Sequence, residues 1–131
     1  MNKIKAVLFL GVLSIMFTVS NSAMADWTQI SDNDNDTLYI DMSTIDKTGN
    51  TVKMSDVLNL KKNTGDNYLS LKSLQEYDCK ESKTRVISFS TYSAAMAKGN
   101  LVKSNGRVHD WLPVKAGGLN EIMWKAACGK S

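Results

Sequence analysis

The sequence has one proline, one histidine and two cysteines in 131 residues, and each scarcity removes a class of activity. One histidine and two cysteines offer zinc no adequate set of soft ligands. Charge of one sign is also lacking: Lys+Arg 16 stand against Asp+Glu 13, a balance that excludes a polybasic nucleic-acid binder. Neither GxGxxG nor GxxxxGK[ST] occurs, so a bound nucleotide would find no phosphate cradle. Apolar runs are short throughout, and the longest is confined to the N-terminus. The length is too small for two ordinary domains, and no internal repeat or low-complexity linker interrupts residues 26–131.

Lys3 and Lys5 precede an apolar run from Ala6 to Val19, followed by Asn21-Ser22-Ala23-Met24-Ala25. A basic n-region, an apolar h-region and an Ala-x-Ala end read as an export leader over residues 1–25. The run of about 14 residues is shorter than the roughly 20 a helix needs to cross a bilayer. No cysteine follows the cut, so no lipid anchor on a new N-terminal cysteine is expected, and no integral membrane segment remains after cleavage. The expected product is 26–131, a single domain, periplasmic or secreted. Lys3 and Lys5 leave with the leader, so 14 basic residues then face 13 acidic ones and the net charge is +1. Cys79 and Cys128 both lie on the exported side, where an oxidising compartment favours their closure into a disulfide.

Apolar periodicity places the elements. Leu38, Ile40 and Met42 share one face of a strand, with Tyr39 and Asp41 on the other. Val52, Met54, Leu58 and Leu60 alternate in the same way, with Asp56 interrupting as a bulge or a strand end. Tyr68 to Cys79 reads as a long strand, with either a bulge near Lys72-Ser73 or both faces partly covered. Thr84 to Ser93 then forms an antiparallel hairpin with it. Asn105-Gly106 predicts a further hairpin, pairing Leu101-Val102 with Val108 to Leu112, and Pro113 marks a strand end or an edge. Leu119, Ile122, Met123, Ala126 and Ala127 recur at helical spacing, with Glu121 in the first turn, Lys125 four residues on and Gly129 as the C-cap. The expected class is α+β: an antiparallel sheet of about five or six strands with a C-terminal helix packed on one face and tied to it by the disulfide.

No group of residues assembles into a reaction centre. His109 is unaccompanied by a nucleophile-elbow motif and, beside Asp110 and Trp111, reads as a surface or edge-strand histidine. Asp32, Asp34 and Asp36 match the first three ligand positions of a calcium loop. Thr37 replaces its glycine, Ser43 replaces its glutamate and the flanks are strand-like, so the segment reads as a solvated turn. No catalytic residue, cofactor-binding residue or metal ligand is assigned, and no cofactor is expected. Lys61, Lys62, Lys72, Lys80, Lys83 and Arg85 gather loosely and read as a solvated face. Among the aromatics, Tyr77 and Phe89 hold core positions. Tyr39, Trp111 and Trp124 are the candidate interface residues, with a core-edge role favoured for Trp124.

Several stretches in order, Leu38-Tyr39-Ile40-Asp41, Gly49-Asn-Thr-Val52, Leu71-Lys72-Ser73 through Tyr77-Asp78-Cys79, Arg85 to Tyr92, Gly99, Trp111-Leu-Pro-Val114 and Trp124-Lys-Ala-Ala-Cys128-Gly, resemble the bacterial surface-adhesin protein E family. The resemblance covers nearly all of residues 26–131. It implies an antiparallel sheet with a C-terminal helix, a matching Cys79–Cys128 disulfide, a homodimer as the candidate assembly, and binding to host matrix and serum proteins. The chain departs from the pattern in two places. The family's namesake is lipid-anchored, whereas Ala25-Asp26 carries no adjacent cysteine, and the family's Pro-Gly-Ser before the helix is here Ala116-Gly117-Gly118. The leading expectation is an exported, non-enzymatic interaction protein, adhesin-like toward host or matrix macromolecules. The alternative is a periplasmic accessory or structural protein without an adhesive role.

Overall fold

A computed structural model describes residues 25–63 and 65–130. The leader expected over 1–25 lies, except for Ala25, outside the described residues. Among the described residues seven strands and one α-helix follow in order, with a 3-10 turn Ala95–Ala97 between β5 and β6: β1 Trp27–Asp32, β2 Asp36–Thr48, β3 Thr51–Leu60, β4 Ser70–Asp78, β5 Lys83–Ala94, β6 Lys98–Asn105, β7 Leu112–Pro113 and α1 Leu119–Cys128. The strands form one antiparallel meander in the order β1-β2-β3-β4-β5-β6, with β7 also pairing β5. The α+β class, the C-terminal helix and the disulfide are as expected.

Alternation decides which side chains meet the helix. Leu38, Ile40, Val52, Met54 and Tyr77 point to one face, where Met123 and Ala127 of α1 close over them. Cys79 and Cys128 are bonded, with their Cα atoms 5.7 Å apart, fixing the last turn of the helix to the end of β4. Glu121 accepts from the amide of Gly117 at the helix start, and Gly129 ends the helix at φ 68°, the left-handed conformation expected of it.

Five local expectations need correction. Met42 does not join Leu38 and Ile40: the β2–β3 register breaks after Asp41, and Met42 is 46% exposed. Asp56 marks neither a bulge nor a strand end. It pairs with Ile40 and Ser73 in unbroken register and is a carboxyl buried on the core face. Of the two readings of β4, the bulge at Lys72-Ser73 falls and cover of both faces holds, with Ser70 and Glu76 buried on one face and Ser73, Gln75 and Tyr77 on the other. The partner strand β5 carries the irregularity instead, since Leu74 faces Ser88 and Gln75 faces Val86, leaving Ile87 extra. Phe89 is only half-buried: α1 packs mainly on β1, β3 and β4, and Phe89 on β5 lines a groove with Asp66, Tyr68, Leu71, Val102 and Lys103. Finally, Asn105-Gly106 does not turn a hairpin. Asn105 accepts from the amide of Arg107, His109 donates to Val86, and Leu112 and Pro113 pair with Thr84 and Lys83. β6 and β7 are thus two pieces of one edge running along β5, and the asparagine's local turn serves an interruption in that edge.

The β5–β6 connection is held by side chains. Met96 and Ala97 have positive φ, a conformation costly for residues other than glycine. Asn59 accepts from the amide of Met96 at 2.8 Å. Ser70, fully buried, donates to Ala94 and accepts from the amide of Ala97 at 2.9 Å. Gly99 follows at φ 78°, where a Cβ would lie 2.5 Å from Ser93 Oγ; only glycine fits.

Candidate functional site: the helix-free face of the sheet

The face opposite α1 is the surface on which the sequence candidates partly converge. Strand register sets Tyr39 beside Val57, Val57 beside Lys72 and Lys72 beside Ser90. All four have the parity opposite to the core residues Leu38, Ile40 and Tyr77, so they point away from the helix. Val57 is completely buried between the longer side chains of Tyr39 and Lys72, while Lys72 is exposed and Tyr39 half-buried. Beside them Ser55, Leu74, Ser88, Ser90 and Tyr92 line a shallow depression of about 160 Å³.

Charge on this face is arranged through short bonds. Glu76, buried, accepts from Nε and Nη2 of Arg85 at 2.9 and 2.7 Å. The indole of Trp111 lies against the same guanidinium, 4.4 Å from Cζ to the ring centroid. The interrupted β6–β7 edge brings Trp111 there. Asp41, the other buried carboxylate of this face, accepts from the amide and hydroxyl of Ser43 and from the amide of Asp26. The surface therefore presents aromatic rims and serine hydroxyls, with Lys53, Lys72 and Lys83 exposed on it and outside any ion pair among the described residues. That chemistry suits a polar macromolecular surface better than a small apolar ligand.

Tyr39 and Trp111 belong to this face, and Trp124 does not. Trp124 packs at the edge of the core, and its Nε1 donates to the carbonyl of Asp78 at 2.9 Å, so it fastens the helix to β4. Substituting Trp124→Phe removes that bond together with part of the packing at the core edge and is expected to cost about 1–2 kcal/mol. Urea titration would measure it, and an unchanged midpoint would contradict the fastening role.

The other sequence candidates fall into place singly. His109 is exposed with its ring tilted against Phe89 at 6.4 Å. Asn33 accepts from the amides of Asn35 and Asp36 and donates to the Asp36 carboxylate, while Asp32 accepts from Thr37 and pairs with Lys61 at 2.8 Å. The aspartate-rich segment is thus a side-chain-bonded turn. Among the described residues no group of three His, Cys, Asp or Glu is placed to hold a metal ion. Sequence reasoning counted Arg85 in a loose basic cluster and missed its pairing; the signal available was that Glu76 and Arg85 both fall on the non-core parity of adjacent strands.

The model of the family described as surface-adhesin protein E matches residues 27–129. The chain belongs to the surface-adhesin protein E family. Crystal form II of Haemophilus influenzae protein E superposes with a TM-score of 0.63 at 16% identity, over 86% of this chain and 97% of that one. A second structure of Haemophilus influenzae protein E gives 0.63 at 15% identity, over 82% and 87%. Protein E from non-typeable Haemophilus influenzae gives 0.57 at 13% identity, over 84% and 80%. At these identities the likeness shows a shared fold. No curated protein matches the chain. Family membership covers the helix, the disulfide and every strand of the helix-free face. Among the described residues no helix is long and apolar enough to cross a membrane.

Proposed function

We propose that this chain is an exported, non-enzymatic interaction protein of adhesin type that binds host or matrix macromolecules through the helix-free face of its sheet. Residues 1–25 act as the export leader and 26–131 as the functional domain, delivered to the periplasm or beyond without a lipid anchor. The observation that carries this reading is the division of the sheet. One face is closed by a disulfide-tied helix, while the other keeps Tyr39, Lys72, Tyr92 and the Arg85–Trp111 pair at a surface that no helix covers among the described residues. Aromatic and cationic groups on a rigid sheet are the residue types that anchor protein interfaces.

Immobilised host matrix preparations and whole host cells, probed with the exported protein, test the reading. Changing Lys72→Glu and Trp111→Ala together is expected to weaken binding about tenfold or more, while Asn120→Lys on the exposed side of α1 leaves it unchanged. Far-UV circular dichroism should show the same fold in all three proteins. Material confined to the periplasm, with no binding to cells or matrix, would overturn the adhesive role and favour a periplasmic accessory protein.

A further inference from the structure

We infer that the groove lined by Leu71, Phe89, Thr91 and Lys103 binds a free single-chain carboxylate, an unbranched apolar tail ending in one anionic group. The groove encloses about 500 Å³, within the range of small-molecule sites. It lies across β4, β5 and β6 on the helix side of the sheet, beside the strands on which α1 mainly packs. The surface proposed for adhesion is the opposite face, so the two sites are separate.

Strand register builds the floor. Leu71 of β4 faces Thr91 of β5, and Thr91 faces Lys103 of β6, so three side chains of core parity stand in a row across the sheet. Phe89 follows two residues along β5 on the same face, and its ring meets His109 at 6.4 Å. Val102 is the extra residue where the β5–β6 register slips, and this bulge lets it line the groove beside Lys103. Tyr68 enters from the loop ahead of β4, which is held by the Leu69 amide donating to the Tyr92 carbonyl at 2.9 Å. Tyr68, Leu71 and Phe89 are each only half-buried and Val102 is 44% exposed. A tail lying along them removes from water apolar surface that the fold leaves uncovered.

Charge sets the head group. Lys103 and Asp66 both line the groove, and neither makes an ion pair among the described residues. Lys103 stands beside Thr91, which is 3% exposed and whose hydroxyl has, among the described residues, one long contact of 3.5 Å to the Lys103 carbonyl. Hydroxyl donors ordinarily bond at about 2.7–2.8 Å. A carboxylate seated on the Lys103 ammonium offers the Thr91 hydroxyl a shorter, charge-assisted bond, so this wall of the groove takes the anionic end. Asp66 comes from the loop ahead of β4 and Lys103 from β6, with β5 between those strands. The Asp66 carboxylate repels a second anionic group, which disfavours a chain charged at both ends. An anionic membrane would meet the same carboxylate at the rim, so a free molecule fits the groove better than a lipid surface.

Isothermal titration of the exported protein with octanoate, decanoate and dodecanoate, each below its micelle concentration, tests this. One carboxylate per chain is expected, with affinity rising roughly threefold per added methylene. Lys103→Gln should weaken decanoate about tenfold or more and leave uncharged decanol within about twofold. Dodecanedioate should bind the unaltered protein about fivefold more weakly than dodecanoate, and Asp66→Asn should narrow that gap. Amide shifts on adding dodecanoate to the unaltered protein should centre on Leu71, Phe89, Thr91 and Val102, a readout that needs no variant to fold. No saturable binding of dodecanoate, an affinity indifferent to Lys103→Gln, shifts centred on the helix-free face, or a preference for phosphatidylglycerol vesicles over the free acid would each overturn the inference. Matrix binding is measured separately, so failure of the groove leaves the adhesive reading standing.

Discussion

Replacing Cys79 and Cys128 together by alanine is expected to lower stability by about 4 kcal/mol, the chain-entropy value for a bridge closing a loop of about 50 residues. The bond spans 49 positions and ties the end of β4 to the last turn of α1. A ten-residue helix has little stability of its own in water. Its attachment rests on Met123 and Ala127 against the sheet, on Trp124 bonded to Asp78, and on this bridge. For a domain near 100 residues the loss corresponds to roughly 15–25 °C in melting temperature. Scanning calorimetry of the double variant against the oxidised protein measures it, and a shift of only a few degrees would show that the helix holds without its staple.

Asp56→Asn is expected to stabilise the protein at pH 8 and to flatten its pH profile. Asp56 lies on the core face with 3% of its surface exposed, accepting from Gln75 Nε2 at 2.9 Å. Its neighbours on the adjoining strands are Ile40 and Ser73, and Met123 of α1 meets the same Gln75 amide. No cation pairs with it among the described residues. Burial pushes its carboxyl up to about 7, against a smaller lowering by the Gln75 bond, and burial also raises the Tyr77 phenol, to which Asp56 adds. With the folded value above the unfolded one, 3.8, the folded chain retains a proton that the unfolded chain has released. Stability therefore falls as pH rises from about 4 to about 7 and is level beyond, the total being about 4 kcal/mol at about 1.4 kcal/mol per pH unit. Asparagine carries no charge, so the difference between variant and parent should grow over that interval. Urea titrations at pH 4.5, 6 and 8 would reveal it, and a difference independent of pH would contradict the buried acid.

Much of this molecule was legible because alternation is a strong signal in a meander. The parities of Leu38 and Ile40, of Val52 and Met54, and of Tyr77 placed the core face correctly, and the helical spacing of Met123 and Ala127 identified its cover. Cysteine number and an exported context were enough to pair Cys79 with Cys128. The failures arise where local pattern competes with long-range partners. Asn105-Gly106 has the chemistry of a tight turn, but β5 extends past β6 and offers further backbone partners, so the chain runs on along that edge. Phe89 has core parity, yet its strand β5 lies beside the part of the face on which α1 mainly packs. Asp56 was read as a break because aspartate is rare in cores, although its parity already placed it there. The helix-free face was the hardest part to read. Tyr39 and Trp111 could be nominated as single aromatics, but the contact of Trp111 with Arg85 depends on the course of the β6–β7 edge.

The central claim is that α1 seals one face of the sheet and leaves the other to partners. Hydroxyl-radical footprinting of the exported protein, free and bound to a host matrix preparation, tests it most directly. The account predicts that Tyr39, Tyr92 and Trp111 label in the free protein and become protected on binding, while Trp124 keeps its labelling and Tyr77 stays dark throughout. Protection centred on α1, with Tyr39, Tyr92 and Trp111 unchanged, would contradict it.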